Sequence, residues 1–149
     1  MTSYGVLEKA EQVERAAALA YRAGATALQG LPQGALLLRL AEEEDQHATR
    51  VRLLAARYRH DARLFQNVHF KLVMLDAELA RWGEVRQEIE AGRYAGDAPG
   101  LLARLAALEE QSAQSHAQVL AAAADPVVAE FFLKLAEQDR AHRELLGVG

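Results

Sequence analysis

The chain of 149 residues contains no cysteine. That absence removes disulfides, thiolate nucleophiles, cysteine-ligated zinc and iron–sulfur clusters from the possible chemistry. Any metal must be held by oxygen and nitrogen, and carboxylates and imidazoles are the ligands of hard or borderline ions such as iron and manganese. Excess positive charge is also missing. A net charge of −4 and a pI near 5.7 exclude a protein whose main business is binding nucleic acid through a basic surface. No run reaches the roughly 18 apolar residues of a membrane span, and the start, Met1-Thr-Ser-Tyr-Gly5, has no cationic segment followed by an apolar one. A cytoplasmic location without membrane partners is the expectation.

Only three prolines interrupt a chain that is 51% hydrophobic and rich in alanine and leucine, a composition that favours helices. A chain of this length can bury about two-thirds of its unfolded surface in one core, so residues 1–149 read as a single all-α domain.

Apolar periodicity places a first helix over about Tyr4 to Leu28, ended by Gly30-Leu-Pro-Gln-Gly34. A second runs from about Gly34 to Tyr58, with Leu37, Leu40, Glu44, His47, Val51 and Leu54 along one stripe. The stripe is apolar except at two positions. Residues 59–100 form a long crossover between helices 2 and 3, with Leu64, Val68, Leu72, Leu75 and Leu79 in one helix and Glu84 to Glu90 in another. A third long helix is expected from Leu101 to Ala124. Asp125-Pro126 then supplies a cap and a first-turn proline for a fourth, which extends to about Leu146 with Gly147 placed to end it.

Sliding the sequence against itself by 95 residues, without a gap, lays the first helix pair on the last. Leu38-Arg-Leu-Ala-Glu42 falls on Leu133-Lys-Leu-Ala-Glu137, Glu14 on Glu109, Glu44 on Asp139, His47 on His142 and Tyr21 on His116. Each half therefore has a carboxylate in the middle of one helix and an acid-x-x-His pair in the middle of the next. Residues three apart lie about 60° apart around a helix, so both can address one point. Four-helix bundles that hold two metals use one glutamate from each of two helices and a Glu-x-x-His pair from each of the others. Glu14, Glu44, His47, Glu109, Asp139 and His142 fit that pattern, with two iron ions, or manganese or another divalent metal, as the expected cofactor. Four buried carboxylates without metal would each cost several kcal/mol, and two divalent cations would cancel their charge.

Blander roles compete at several positions. A lone Glu-x-x-His is common on solvated helices, and it is the repetition that singles out these two. Glu42, Glu43, Glu110 and Glu137 suit solvated or inter-helix ion-pair roles, with Glu43 the ambiguous one. Tyr21 shares a face with Glu14, so its phenol could hydrogen-bond a ligand, as a tentative catalytic group, or pack in the core. His116 could be a core histidine, a donor to a ligand or a further ligand. His60 and His69 have no partner at ligand spacing and read as surface or interface residues, while Trp82 and Phe65 read as packing.

The segments Glu14 to Tyr21, Leu40-Ala-Glu-Glu-Glu-Asp-Gln-His47, Glu109 to His116 and Asp125 to His142 together resemble the rubrerythrin-like branch of the ferritin-like superfamily. The resemblance covers both helix pairs and leaves the 59–100 crossover unmatched. It implies a ferritin-like four-helix bundle in which Glu44 and Asp139 bridge two irons, Glu14 and His47 complete one, and Glu109 and His142 the other. It further implies a non-haem diiron redox protein that reduces peroxide or dioxygen and draws on an external electron-donor protein, since no cysteine is present for a rubredoxin domain. Asp139 stands where the family has glutamate and is one methylene shorter, which bears first on occupancy of the second metal position. Ala106 stands where typical rubrerythrins carry a further glutamate, which bears on their redox-linked ligand exchange. A ferroxidase or iron-handling role, and a bundle that has lost its metal and acts as a binding module, are the alternatives. A homodimer is expected because the amphipathic crossover and Trp82 are more than a four-helix core needs to bury.

Overall fold

The computed structural model describes residues 2–61 and 63–148. Its elements are helices α1 (Ser3–Ala27), α2 (Pro32–Arg57), α3 (Val68–Glu90), α4 (Ala98–Gln114) and α5 (Pro126–Val148), with a π-helical segment, Ser115–Leu120, continuing α4. Among the described residues the only extended pairing is an isolated antiparallel bridge between Phe65 and Ala123. The all-α expectation holds, and no described helix is long and apolar enough to cross a membrane.

Local chemistry accounts for most boundaries. The Thr2 hydroxyl accepts from the Gly5 amide at 3.1 Å and caps α1. Gly30, at φ +89°, turns the chain toward α2. Pro32 lies in the first turn of α2, which therefore begins two residues before the expected Gly34. A Cβ at Gly34 would stand 2.5 Å from the Leu28 carbonyl oxygen, so glycine is required for that close approach. Asp97 caps α4 through the Gly100 amide, and Asp125 accepts from Val127 and Val128 at 2.8 and 3.3 Å, as the Asp-Pro pair leads one to expect.

Three further boundaries differ from the sequence expectation. Residues 68–90 form one continuous helix rather than two stretches, and Leu64 lies before it, buried in a loop. Regular α-helix in the third long element stops at Gln114, and the chain has left the helix by Ala123–Ala124, where the Ala124 amide donates to the Leu64 carbonyl. Gly147 does not terminate α5, which continues to Val148.

α1 packs on α2 and on α3, and α4 with its π segment packs on α5. α3 is thus part of the protein's own core. Leu75, Trp82, Val85 and Ile89 are buried, and the Trp82 ring lies 5.8 Å from that of Tyr21. With Trp82 1% exposed inside one chain, it no longer supports a homodimer. Leu37, Leu40, Val51, Leu101, Leu105 and Leu108 are buried on the helices that carry the polar groups. Each such side chain contributes about 1.5–3 kcal/mol on burial, the same order as the cost of one buried, paired carboxylate.

Candidate metal centre

All six proposed ligands are buried, none more than 3% exposed, in a core lined mainly by alanine, leucine, valine and aromatic rings. α1 supplies Glu14, α2 supplies Glu44 and His47, α4 supplies Glu109, and α5 supplies Asp139 and His142. They are held there because each occupies an apolar stripe, so burying the neighbouring leucines carries the polar groups inward.

Two three-residue groups emerge with ligand atoms within 4.8 Å of one another: Glu14, Glu44 and His47, and Glu44, Glu109 and His142. Glu44 is common to both, the position a bridging carboxylate would take. His47 Nδ1 lies 3.8 Å from Glu14 Oε2 and 3.7 Å from Glu44 Oε2. It is buried and makes no hydrogen bond. An orphaned buried imidazole nitrogen facing two carboxylate oxygens is what a cation between them would satisfy, so the donor set fits a metal. His142 Nδ1 stands 2.9 Å from Glu44 Oε1 and 3.5 Å from Glu109 Oε1. The two imidazoles face each other, with centroids 5.6 Å apart and planes within 11°.

Asp139 belongs to neither group. Its Oδ2 lies 2.6 Å from His116 Nδ1, and His116 Nε2 lies 3.2 Å from Glu14 Oε1, so His116 joins Asp139 to Glu14. The shorter aspartate takes this neighbour, and Glu44 rather than Asp139 serves both groups. Tyr21, the candidate catalytic residue, donates its phenolic proton to Glu109 Oε1 at 2.5 Å. Tyr21 and His116, equivalent in the internal repeat, thus each touch the mid-helix glutamate of the opposite half.

Electrostatics reflect the crowding. Burial, followed by the charges of Glu109 and Glu14, pushes the Glu44 carboxyl well above its usual range. For Glu14 burial is outweighed by hydrogen bonding with Glu44 and His116 and by the nearby His47 imidazole, and its carboxyl falls well below. Burial lifts Asp139 to about 7 against the attraction of His116. His142 is raised to about 11, because hydrogen bonds to Glu109 and Glu44 overcome its desolvation. Burial and the Glu109 charge drive the Tyr21 phenol well above 10.0, so it remains a donor.

The surrounding polar residues sort differently from one another. Glu110 pairs with Arg143 and Arg140, an ion-pair role within the α4–α5 hairpin, while Glu42 and Glu137 are exposed. His60 and His69 are exposed. Glu43 reaches His142 Nε2 at 3.2 Å, which resolves its ambiguity toward the centre. Glu78 on α3 escaped notice in the sequence. It is 2% exposed and accepts from Ser112 Oγ at 2.7 Å, beneath a polar cleft of about 260 Å³ that Arg81 and Ser115 also line. Its signal was its place on the stripe Leu75, Glu78, Trp82, Val85, a charged residue where the period demands an apolar one.

No protein-family model matches the chain, and no curated protein or solved structure matches it.

Proposed function

We propose that this chain is a ferritin-like, carboxylate-bridged dimetal protein, with iron as the metal and peroxide or dioxygen as the oxidant it reduces. The observation that carries this reading is the pair of buried ligand groups sharing Glu44, with His47 Nδ1 left without a partner. Glu14, Glu44 and His47 would hold one ion, and Glu44, Glu109 and His142 the other. Two ferrous ions there would supply the two electrons that convert peroxide and two protons to two waters, with Lewis-acid contact to the oxygens; an external donor protein would restore the reduced state.

The protein's own residues prepare the site in three ways. Tyr21 fixes the Glu109 carboxylate by a short hydrogen bond and, with its proton retained, can donate to an adjacent oxygen. His116 holds Glu14 and Asp139 at set distances. The leucine layers exclude bulk water, which strengthens every charge interaction inside.

The test is anaerobic loading with ferrous iron followed by peroxide or air. Oxidation of about two ferrous ions per chain, faster with peroxide or oxygen than in a Glu44→Gln variant, supports the reading; no oxidation above that of free iron sinks it.

A second reading has its own observation. His116 with Asp139 at 2.6 Å and His142 with Glu44 at 2.9 Å are pairs that satisfy each other without a cation. On that reading the cluster is a metal-free polar core and the chain a binding module. Failure of the purified protein to retain any divalent metal after dialysis would favour it.

A further inference from the structure

The internal repeat predicts a matching contact behind each of the two site histidines, and only one is built. His142 turns Nδ1 toward Glu44 and Glu109, at 2.9 and 3.5 Å, and Nε2 toward Glu43 Oε1 at 3.2 Å. Glu43, from α2, is half-buried and its other oxygen accepts from Arg39 Nε at 3.1 Å. The residue equivalent to Glu43 in the second half is Gln138, on α5. The repeat assigns it the place relative to His47 that Glu43 holds relative to His142. Its Oε1 is buried without a hydrogen bond, and the only carboxylates within ion-pair range of His47, among the described residues, are Glu14 and Glu44, both on Nδ1.

We propose that this difference makes the two metal positions unequal: Glu43 makes the Glu44–Glu109–His142 position the tight one, and the Glu14–Glu44–His47 position, with no carboxylate behind its imidazole, exchanges its ion. The proposal rests on the dimetal reading above. A carboxylate behind an imidazole fixes the proton on Nε2, leaves the Nδ1 lone pair for the cation, holds the ring in place and raises its basicity; losing such a partner costs about 10- to 100-fold in metal affinity. An amide oxygen carries no charge, and here it engages nothing. This reverses the ranking that Asp139 alone gives, because Glu44 supplies the bridging carboxylate and Asp139 is held by His116. Glu43 is a positioning residue, since it reaches the ion only through His142.

Cobalt(II) titration of the full-length, metal-free protein, followed by visible absorption, tests the proposal. Two ions should bind in steps at least about tenfold apart. His47→Ala should keep the tight step and His142→Ala should remove it. Glu43→Gln should weaken the tight step about 10- to 100-fold and leave the total at two, while Arg39→Gln, which breaks the surface ion pair alone, should leave both steps in place. Gln138→Glu should strengthen the weaker step. Equal steps in the parent protein, an unchanged titration in Glu43→Gln, or the same loss in Arg39→Gln would each overturn the proposal while leaving two-metal binding intact. No cobalt binding by the parent protein would overturn the dimetal reading and this inference with it.

Discussion

Tyr21 and Glu109 meet at 2.5 Å across the interior, joining α1 to α4 by one buried hydrogen bond, although 88 residues separate them in sequence. The counterpart contact, His116 to Glu14 at 3.2 Å, joins α1 to the π segment that continues α4, in the opposite sense. The internal repeat is therefore expressed as a pseudo-twofold set of contacts around the buried acids.

Removing the phenol tests how much that link contributes. Tyr21→Phe leaves the ring packed on Trp82 but strips Glu109 of its phenolic donor, and losing a buried hydrogen bond of this kind costs about 1–3 kcal/mol. Urea unfolding of the metal-free variant should show a loss in that range. A change below about 0.3 kcal/mol would mean the contact does not persist in solution.

Glu44 should behave in the opposite way. Burial and the charges of Glu109 and Glu14 disfavour its ionised form, so Glu44→Gln removes a strained carboxyl while retaining a group that can hydrogen-bond His142. The metal-free variant should melt at the parent temperature or a few degrees higher, since about 1 kcal/mol moves the midpoint by some 2–4 °C at this size. The same substitution should abolish retention of both ions. A large loss of stability together with full metal retention would contradict the bridging position.

The pH dependence of the metal-free protein has a definite sign. His142 is raised from 6.5 to about 11 as hydrogen bonds to Glu109 and Glu44 outweigh its burial, so its contribution is complete below about pH 6.5 and is lost as pH rises toward 11. Asp139 is raised by burial from 3.8 to about 7, and its contribution is likewise lost as pH rises through that value. In both cases the folded state binds the extra proton. Melting temperature without metal should therefore decline between about pH 5 and pH 9. Binding a divalent ion must displace the His142 proton, so metal affinity should rise over the same interval, with proton release measurable by calorimetry in buffers of different ionisation enthalpy. A melting temperature that climbs with pH in the metal-free state would contradict this arrangement.

Much of the centre was legible because its signal is periodic. Glu14, Glu44, His47, Glu109, Asp139 and His142 interrupt apolar stripes at matching offsets, and burial of the stripes brings all six inward. What periodicity does not encode is which neighbour a buried group selects. Asp139 and Glu44 hold equivalent places in sequence, yet the shorter side chain pairs with His116 and the longer one serves both ligand groups. Glu43 sits at the margin of its helix face, and only the position of α5 reveals that His142 lies within its reach. The π-helical segment around His116 left no mark, since a change from i→i+4 to i→i+5 bonding needs no particular residue. The leucine spacing marks a helix only as far as Leu79, whereas the buried face of the continuous α3 goes on through Trp82, Val85 and Ile89.

Elemental analysis of the protein after loading with ferrous iron and exhaustive anaerobic dialysis tests the dimetal centre most directly. The arrangement around Glu44 predicts about two ions per chain in the parent protein and almost none in Glu44→Gln. A parent protein that retains no metal, or a Glu44→Gln variant that retains as much as the parent, would contradict it.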